Sequence, residues 1–391
     1  MRILIATVTA GAGHLQAAAA LEEAWRTLFP NDEVQKLDVL DFTSRLYRKL
    51  YSESYVKLVE HAPELWAHMF NKLDDPERLH RASRIRRALA ALNTPKFIRH
   101  FLKFRPEAVL CTHFLPLEVL GRLKEKKGAA APLMASIVTD FEAHALWMEP
   151  CVDLYCVAAE ETKARLLARG IDSASVLVTG IPIAAKFSTK VDPAAVRKRM
   201  GLRDDMPILL VLGGGFGMGP VAEILQQLNK LERPVQIVVV CGRNQELRRE
   251  LAVQEHRHPA HVLGFAGNMQ ELMAIAELII TKPGGLTSSE ALAMGKPLFV
   301  LNPIPGQEAA NSDFLLEHGA AAKANRIEDL PYRLETLLGS EKLPAMANAA
   351  RALGKPDAAL EVCREIAQRL RQRQPLAESL PKKRAHGKTS R

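Results

Sequence analysis

The sequence predicts an α/β protein with two doubly wound parallel-sheet domains, and three observations carry that prediction. A buried-strand run from Arg2 to Val8 leads into a Gly-rich turn at Gly11 to Gly13. Apolar residues then recur at helical spacing from about Leu15 to Leu28. The same strand, Gly turn and helix recur at Pro207 to Leu212, Gly213 to Gly219 and about Val221 to Leu231. Short apolar strand candidates alternate with helical segments throughout, the pattern of parallel sheets covered on both faces. A chain of 391 residues also exceeds one compact core and fits two.

Taken in order, the first strand runs into Gly11-Ala12-Gly13-His14 without a cleavage pattern, so it reads as a strand and not as a signal peptide. Arg45 to Phe104 has no strand pattern. It mixes Tyr47, Tyr51, Trp66, Phe70 and Phe97 with basic residues, and it reads as amphipathic helices inserted into the first domain. Ala108 to Thr112, Leu133 to Val138 and Leu154 to Val157 supply further strands. The polar stretch from Pro182 to Pro207 marks the boundary, giving domains over residues 1–186 and 187–373. Val235 to Cys241, His261 to Leu263, Leu278 to Thr281 and Pro297 to Leu301 supply the second sheet. Residues 374–391 are polar and basic and are expected to be disordered.

Composition narrows the class. Apolar residues make up 48% and charged residues 25%, as in an ordinary globular protein. No run reaches the ~18 apolar residues of a membrane span. Five cysteines without a CxxC pair point to reduced thiols and against a structural zinc, and no metal site is expected. The net charge of +9 is local: Arg81 to Arg105 holds eight Lys or Arg and no acid, and Lys382 to Arg391 holds five and no acid. Such a patch attracts polyanions. Aromatic residues beside it favour an anionic membrane surface over nucleic acid, with Trp66, Arg84, Arg86, Arg87, Arg99 and Lys103 as candidate contacts. Each basic group near an anionic leaflet contributes on the order of 1 kcal/mol.

Four motifs carry chemistry. The first Gly loop lacks the Gly-Lys-Ser/Thr of a Walker loop and the third Gly of GxGxxG. It does place His14 at a strand-to-helix turn, where an imidazole can take a proton from a hydroxyl or simply line the helix start. The second loop holds Gly214, Gly215, Phe216 and Gly217, and its backbone N–H groups suit a diphosphate. The third motif, Thr281 to Pro297, places Gly284, Gly285, Leu286 and Thr287 at a helix start and Glu290 just inside it. Glu290 can accept ribose hydroxyls or close a capping box with Thr287. The fourth, Pro303 to Asn311, presents Gln307, Glu308 and Asn311 to sugar hydroxyls or to the helix start itself.

These motifs resemble the monogalactosyldiacylglycerol synthases and processive diacylglycerol glucosyltransferases of glycosyltransferase family 28. The likeness runs over roughly residues 1–330. It is carried by Gly264 to Asn311, with its KPGGLT, EALAMGKP and PIPGQE stretches, by Ile137 to Trp147, by Val178 to Ile183 and by Gly242-Arg243-Asn244. The resemblance implies the GT-B fold, two Rossmann-like domains facing a central cleft. It implies inverting transfer of a hexose from a UDP-sugar to diacylglycerol, with no cofactor and no required metal. Carried over, His14 is the general base and Asp140 orients or assists it. The Gly214 to Gly217 loop lies by the diphosphate, Phe265 and Met269 flank the uracil, Glu290 binds ribose, and Gln307 and Glu308 read the sugar. Arg243, Asn244, Gly284, Gly285, Leu286, Thr287 and Asn311 complete the donor set. The first loop reads Gly-Ala-Gly-His where the family more often has Gly-Gly-Gly-His. The implied location is the cytoplasmic side of the cell membrane, as a peripheral protein.

Three rivals share parts of this pattern. One is transfer of N-acetylglucosamine to a lipid-linked cell-wall precursor. Another is a UDP-sugar epimerase, for which a basic aromatic patch has no use. The third is a non-catalytic UDP-sugar-binding membrane protein, against which the intact His14, Gln307 and Glu308 argue. Galactose, glucose and N-acetylglucosamine stay open as the transferred sugar.

Overall fold

The computed structural model describes the chain except residues 10, 52–61, 129–130, 215–218, 302 and 374–391. In the first half, β1 (Arg2–Thr7), α1 (Ala12–Leu28) and β2 (Glu33–Asp38) are followed, after a helical stretch at residues 45–51, by α2 (Pro63–Leu73), α3 (Pro76–Asn93) and α4 (Pro95–Phe104). Then come β3 (Ala108–Cys111), α5 (Phe114–Lys127), β4 (Leu133–Ile137), β5 (Leu154–Val157), α6 (Glu160–Ala168) and β6 (Val176–Val178). These strands form one parallel sheet in the order β2-β1-β3-β4-β5-β6.

After α7 (Pro193–Met200) the second half repeats the plan. It runs β7 (Ile208–Leu212), α8 (Val221–Leu228), β8 (Gln236–Val240), α9 (Gln245–Val253), β9 (Ala260–Leu263), α10 (Met269–Ile275) and β10 (Leu278–Thr281). It continues with α11 (Gly285–Ala293), β11 (Leu298–Val300), α12 (Gln307–Glu317), β12 (Ala321–Lys323), α13 (Leu330–Leu338), α14 (Lys342–Leu353) and α15 (Ala358–Arg373). Its parallel sheet has the order β12-β11-β10-β7-β8-β9.

The interior strands β3, β4, β7, β8 and β10 are buried at every position. Helices on both faces leave them no wet side, which explains their continuous apolar runs. Of the edge strands, β9 was expected from the sequence and β2, β6 and β12 were not. β2 carries Glu33, Gln35 and Lys36, and the other two are three residues long.

The last helix departs from the sequence division. Val362, Cys363, Ile366 and Leu370 of α15 share one core with Ala18, Leu21 and Trp25 of α1. Residues 358–373, assigned to the second domain, thus cover the first. An apolar face at helical spacing needs a partner, and α1 offers one across the cleft.

The two halves close tightly on each other. Phe141 stacks on Phe314 with ring centroids 4.4 Å apart. A Cβ on Gly285, the first residue of α11, would lie 2.0 Å from the Thr139 carbonyl oxygen. Only glycine permits that approach, so the Gly284-Gly285 pair fixes how near the second half comes.

Candidate active site

A cavity of about 1150 Å3 lies where the loops after β1, β3 and β4 meet α12 and the inserted helices. Trp66, Met69 and Phe70 of α2, Leu89 of α3, and Phe114 and Trp147 give it apolar walls. His14, His113 and Asp140 line it from the first half, and Gly306, Gln307 and Phe314 from the second. The PGQE loop touches the insertion here. Gly306 has φ of 95°, and a Cβ on it would lie 2.7 Å from the Phe70 ring.

His14 is the third residue of α1. Its backbone carbonyl accepts a 3.0 Å hydrogen bond from Thr112 Oγ1, which ties the first turn of α1 to the end of β3. Its Nδ1 lies 3.0 Å from Thr139 Oγ1. Burial holds the imidazole down to about 4, only partly opposed by the Thr112 backbone. The ring is therefore neutral at physiological pH. The ring of His113 meets it edge-on, with centroids 4.8 Å apart. Thr139, Thr112 and His113 were not singled out in the sequence, since each is an ordinary strand-end residue until the strands are placed side by side.

Asp140 lines the cavity, but its partner is not His14. Its Oδ1 accepts from Asn311 Nδ2 at 3.1 Å. Burial pushes its carboxyl up to about 6; the Asn311 hydrogen bond opposes that shift and the charge of Glu308 adds to it. The residue hydrogen-bonded to the His14 ring is the one before it, Thr139.

Asn311 is a correction to the sugar-binding set. It is fully buried, and its amide bridges the two halves. Oδ1 accepts from the Phe141 backbone N–H at 2.8 Å, while Nδ2 donates to Asp140 and to the Pro283 carbonyl at 3.1 Å each. Both of its N–H groups are used, and the fully buried side chain is closed to a sugar in this arrangement. Glu308 is likewise turned back on its own loop: Oε2 accepts from the Ile304 N–H at 2.8 Å. Burial raises its carboxyl, with Lys282 opposing. Gln307 lines the cavity as the first residue of α12.

The residues expected around the nucleotide lie across the loops of the second sheet. Gly214 is exposed, with φ of 75° and open space where a Cβ would project. Gly215, Phe216 and Gly217 lie outside the described residues. Arg243 is exposed, and Asn244 caps α9 by accepting from the Leu247 N–H at 3.0 Å. Phe265 is 63% exposed, and Met269 opens α10 and packs on the core. Gly284 is the N-cap of α11 and uses no side chain, so Thr287 and Glu290 do not form the capping box their spacing allowed. Thr287 is half-buried, while Leu286 is buried, a side chain turned to packing near Gly13 and not to a ligand. The Glu290 side chain makes no hydrogen bond with a described residue. Burial pushes its carboxyl up to about 8, with Lys186 opposing.

The basic candidates divide. Arg99 and Lys103 of α4 are exposed, and the Arg84 side chain lies outside the described residues. Arg86 and Arg87 are instead engaged by acids of the protein itself. Arg86 pairs with Glu118 at 2.7 Å and Glu149 at 2.8 Å; Arg87, 6% exposed, pairs with Glu149 at 2.8 Å and Glu125 at 2.7 Å. The acids come from α5 and the loop before β5, far along the chain, so a local charge count could not see this neutralisation. Trp66 is half-buried and belongs to the cavity wall. Among the described residues no helix is long and apolar enough to cross a membrane, and no group of three or more His, Cys, Asp or Glu could hold a metal ion.

Two Rossmann-like sheets meeting at a shared cleft define the GT-B glycosyltransferase architecture. Solved structures agree. MurG of Acinetobacter baumannii superposes with a TM-score of 0.60 at 18% identity, covering 94% of this chain and 99% of that one. S. aureus MnaA, solved with UDP, gives 0.60 at 14%, covering 95% and 97%. The profile for monogalactosyldiacylglycerol (MGDG) synthase matches residues 14–183, and that for the glycosyltransferase family 28 C-terminal domain matches 208–370. A processive diacylglycerol beta-glucosyltransferase of Bacillus pumilus is 31% identical over 374 residues, spanning 90% of this chain and 91% of the relative. The enzyme of that name from Bacillus licheniformis is 32% identical over 352 residues, spanning 87% of each. The chain belongs to the family of MGDG synthases and processive diacylglycerol glucosyltransferases.

Proposed function

We propose that this chain is a glycosyltransferase that moves a hexose from a UDP-sugar to diacylglycerol, with inversion, on the cytoplasmic face of a membrane. One observation carries this reading. A single cavity with apolar walls brings together His14 of the first half and Gln307 of the second. Aromatic and aliphatic walls suit a lipid acceptor, and the polar floor suits its hydroxyl.

The chemistry follows from the partners of His14. In the tautomer with the ring proton on Nδ1, directed at Thr139 Oγ1 3.0 Å away, the lone pair on Nε2 is free to take the acceptor proton. Burial keeps the imidazole unprotonated and also makes it a weak base. That suits a late transfer, because the hydroxyl proton becomes acidic only as the new C–O bond forms. At the donor end, the start of α11 at Gly284 to Thr287 and the Gly214 turn aim N–H groups at the diphosphate and stabilise the leaving charge. Phe265 and Met269 flank the base, Glu290 meets the ribose, and Gln307 reads the sugar. Arg243 and Asn244 border this site.

The acceptor arrives from a bilayer. Leu65, Met69 and Leu73 stand exposed along α2, and Ile85, Leu89 and Leu92 along α3. Met69, Leu73 and Leu89 also line the cavity, so its mouth is continuous with this apolar stripe. Exposed Lys96, Arg99 and Lys103 flank it and suit anionic headgroups.

The test is to incubate the protein with diacylglycerol vesicles and UDP-glucose, UDP-galactose or UDP-N-acetylglucosamine, and to analyse the lipid extract. The donors are α-linked, so the expected product is one β-linked glycosyldiacylglycerol. An α-linked product would sink inversion, and no glycolipid from any donor would sink the assignment.

A further inference from the structure

His113 stands two residues beyond the end of β3 and serves as the N-cap of α5. Its Nδ1 accepts from the Leu115 N–H at 3.1 Å. Helix starts favour Ser, Thr, Asp or Asn for that task, so an imidazole brings more than capping needs. With Nδ1 accepting, the neutral ring carries its proton on Nε2. Burial holds the imidazole well below its ordinary range, and the charge of His14 would lower it further. His113 is 3% exposed, yet it lines the cavity, packed against Phe114 with its ring nearly perpendicular to that of His14. Among the described residues nothing accepts a hydrogen bond from its Nε2. That nitrogen is open to the cavity, where a ligand can supply the acceptor that the protein does not.

We infer that His113 Nε2–H binds an ester carbonyl of the acceptor lipid and so positions the neighbouring hydroxyl against His14. This rests on the diacylglycerol reading above. Diacylglycerol offers only a hydroxyl and two ester groups to polar partners. A donor on the reacting hydroxyl oxygen would withdraw the electron density that attack requires, which leaves an ester carbonyl as the productive partner. The adjacency of the two rings, 4.8 Å between centroids, matches two polar groups a few bonds apart on one glycerol. His113 is thus a specificity residue for esters, while His14 handles the proton.

The test crosses two variants with two acceptors, 1,2-diacylglycerol and its dialkyl ether analogue, which lacks the carbonyls. Asn at this position keeps the cap, because its Oδ1 can accept from Leu115, and removes the cavity donor. His113→Asn should keep the wild-type Tm and lower kcat/KM for diacylglycerol about tenfold, the loss of one hydrogen bond. It should lose little more on the ether lipid, on which the wild type itself is already slower. His113→Gln should do the reverse, losing the cap and some Tm while its Nε2 donor keeps the preference for ester over ether. Equal penalties on both lipids in both variants would assign His113 to structure alone and overturn the inference. Wild-type kinetics in His113→Asn would overturn it as well. If the wild type glycosylates neither lipid, the diacylglycerol reading itself fails, a result distinct from transfer that ignores His113.

Discussion

Thr139 Oγ1 lies 3.0 Å from Nδ1 of His14, joining residues 125 positions apart at the floor of the cavity. An imidazole that must offer Nε2 as base needs its other nitrogen held. Thr139→Val removes that hold at nearly constant volume. The expected loss is about 10- to 100-fold in kcat with KM for the UDP-sugar nearly unchanged. Thr139→Ser should recover most of it. Steady-state kinetics on both variants check this; full turnover in the Thr139→Val enzyme would remove Thr139 from the mechanism.

The pH dependence follows from burial of the same ring. A histidine at its ordinary pKa would impose an acid limb on kcat/KM near pH 6.5. His14, held down to about 4, stays neutral and competent well below that. Any activity loss between pH 7 and 5 must then come from another group, with Asp140 at about 6 the foremost. The depressed pKa also means that the contribution of His14 to stability is complete above its unfolded value and fades as pH falls toward 4. Comparing pH profiles of the wild type and Asp140→Asn separates the two groups. An acid limb near 6.5 that survives in Asp140→Asn would contradict the low value for His14.

Asn311 joins the two halves through two hydrogen bonds, with Phe141 and Asp140, and a third holds it to Pro283 of its own half. Asn311→Ala strands the Phe141 N–H and the Asp140 carboxyl in a buried interface. About 2–4 kcal/mol is the expected cost, read as a Tm several degrees lower. A sugar ligand at this position would instead show as raised KM for the donor with an unchanged Tm.

Glu290 gives a prediction of opposite sign. Its carboxyl is raised to about 8, above its unfolded value of 4.5. The folded state binds the extra proton between those limits, so the stability contribution is full below 4.5 and is lost as pH rises through 8. Without ligand, Glu290→Gln should therefore be more stable than the wild type at pH 8, by roughly 3–4 kcal/mol, and about equal at pH 4. The same change should weaken UDP binding. Thermal melts across pH and titration with UDP test both statements.

The apolar stripe of α2 and α3 predicts how the protein meets lipid. Ile85→Glu with Leu92→Glu alters exposed positions outside the cavity lining, and Leu92 is 75% exposed. Vesicle sedimentation should show at least tenfold weaker binding, with turnover of detergent-dispersed diacylglycerol kept. Replacing Lys96, Arg99 and Lys103 by Gln should remove the preference for anionic vesicles and flatten the salt dependence. Arg86→Gln should act differently. It leaves Glu118 and Glu149 short of a partner and should lower Tm before it alters vesicle binding.

The interior strands and their Gly turns were legible because a strand buried on both faces must be apolar along its whole length, and residue order alone displays that. Edge strands β2, β6 and β12 escaped because one side of each is free to be polar or brief. Motifs local in sequence, His14 at its turn and Gly284-Gly285 before α11, could likewise be read directly. Tertiary structure alone decided which polar groups are already engaged. Asn311 and Glu308 sit in a motif that suggested sugar binding, yet one clasps the halves together and the other closes its own loop. Arg86 and Arg87 counted as a basic patch until Glu118, Glu125 and Glu149 arrived from other elements. Thr139 and His113 gained meaning only when parallel pairing set the ends of β1, β3 and β4 side by side. Hydrogen bonds and ion pairs reach only a few ångströms, and which groups come that close is a property of the packed chain, not of their order along it.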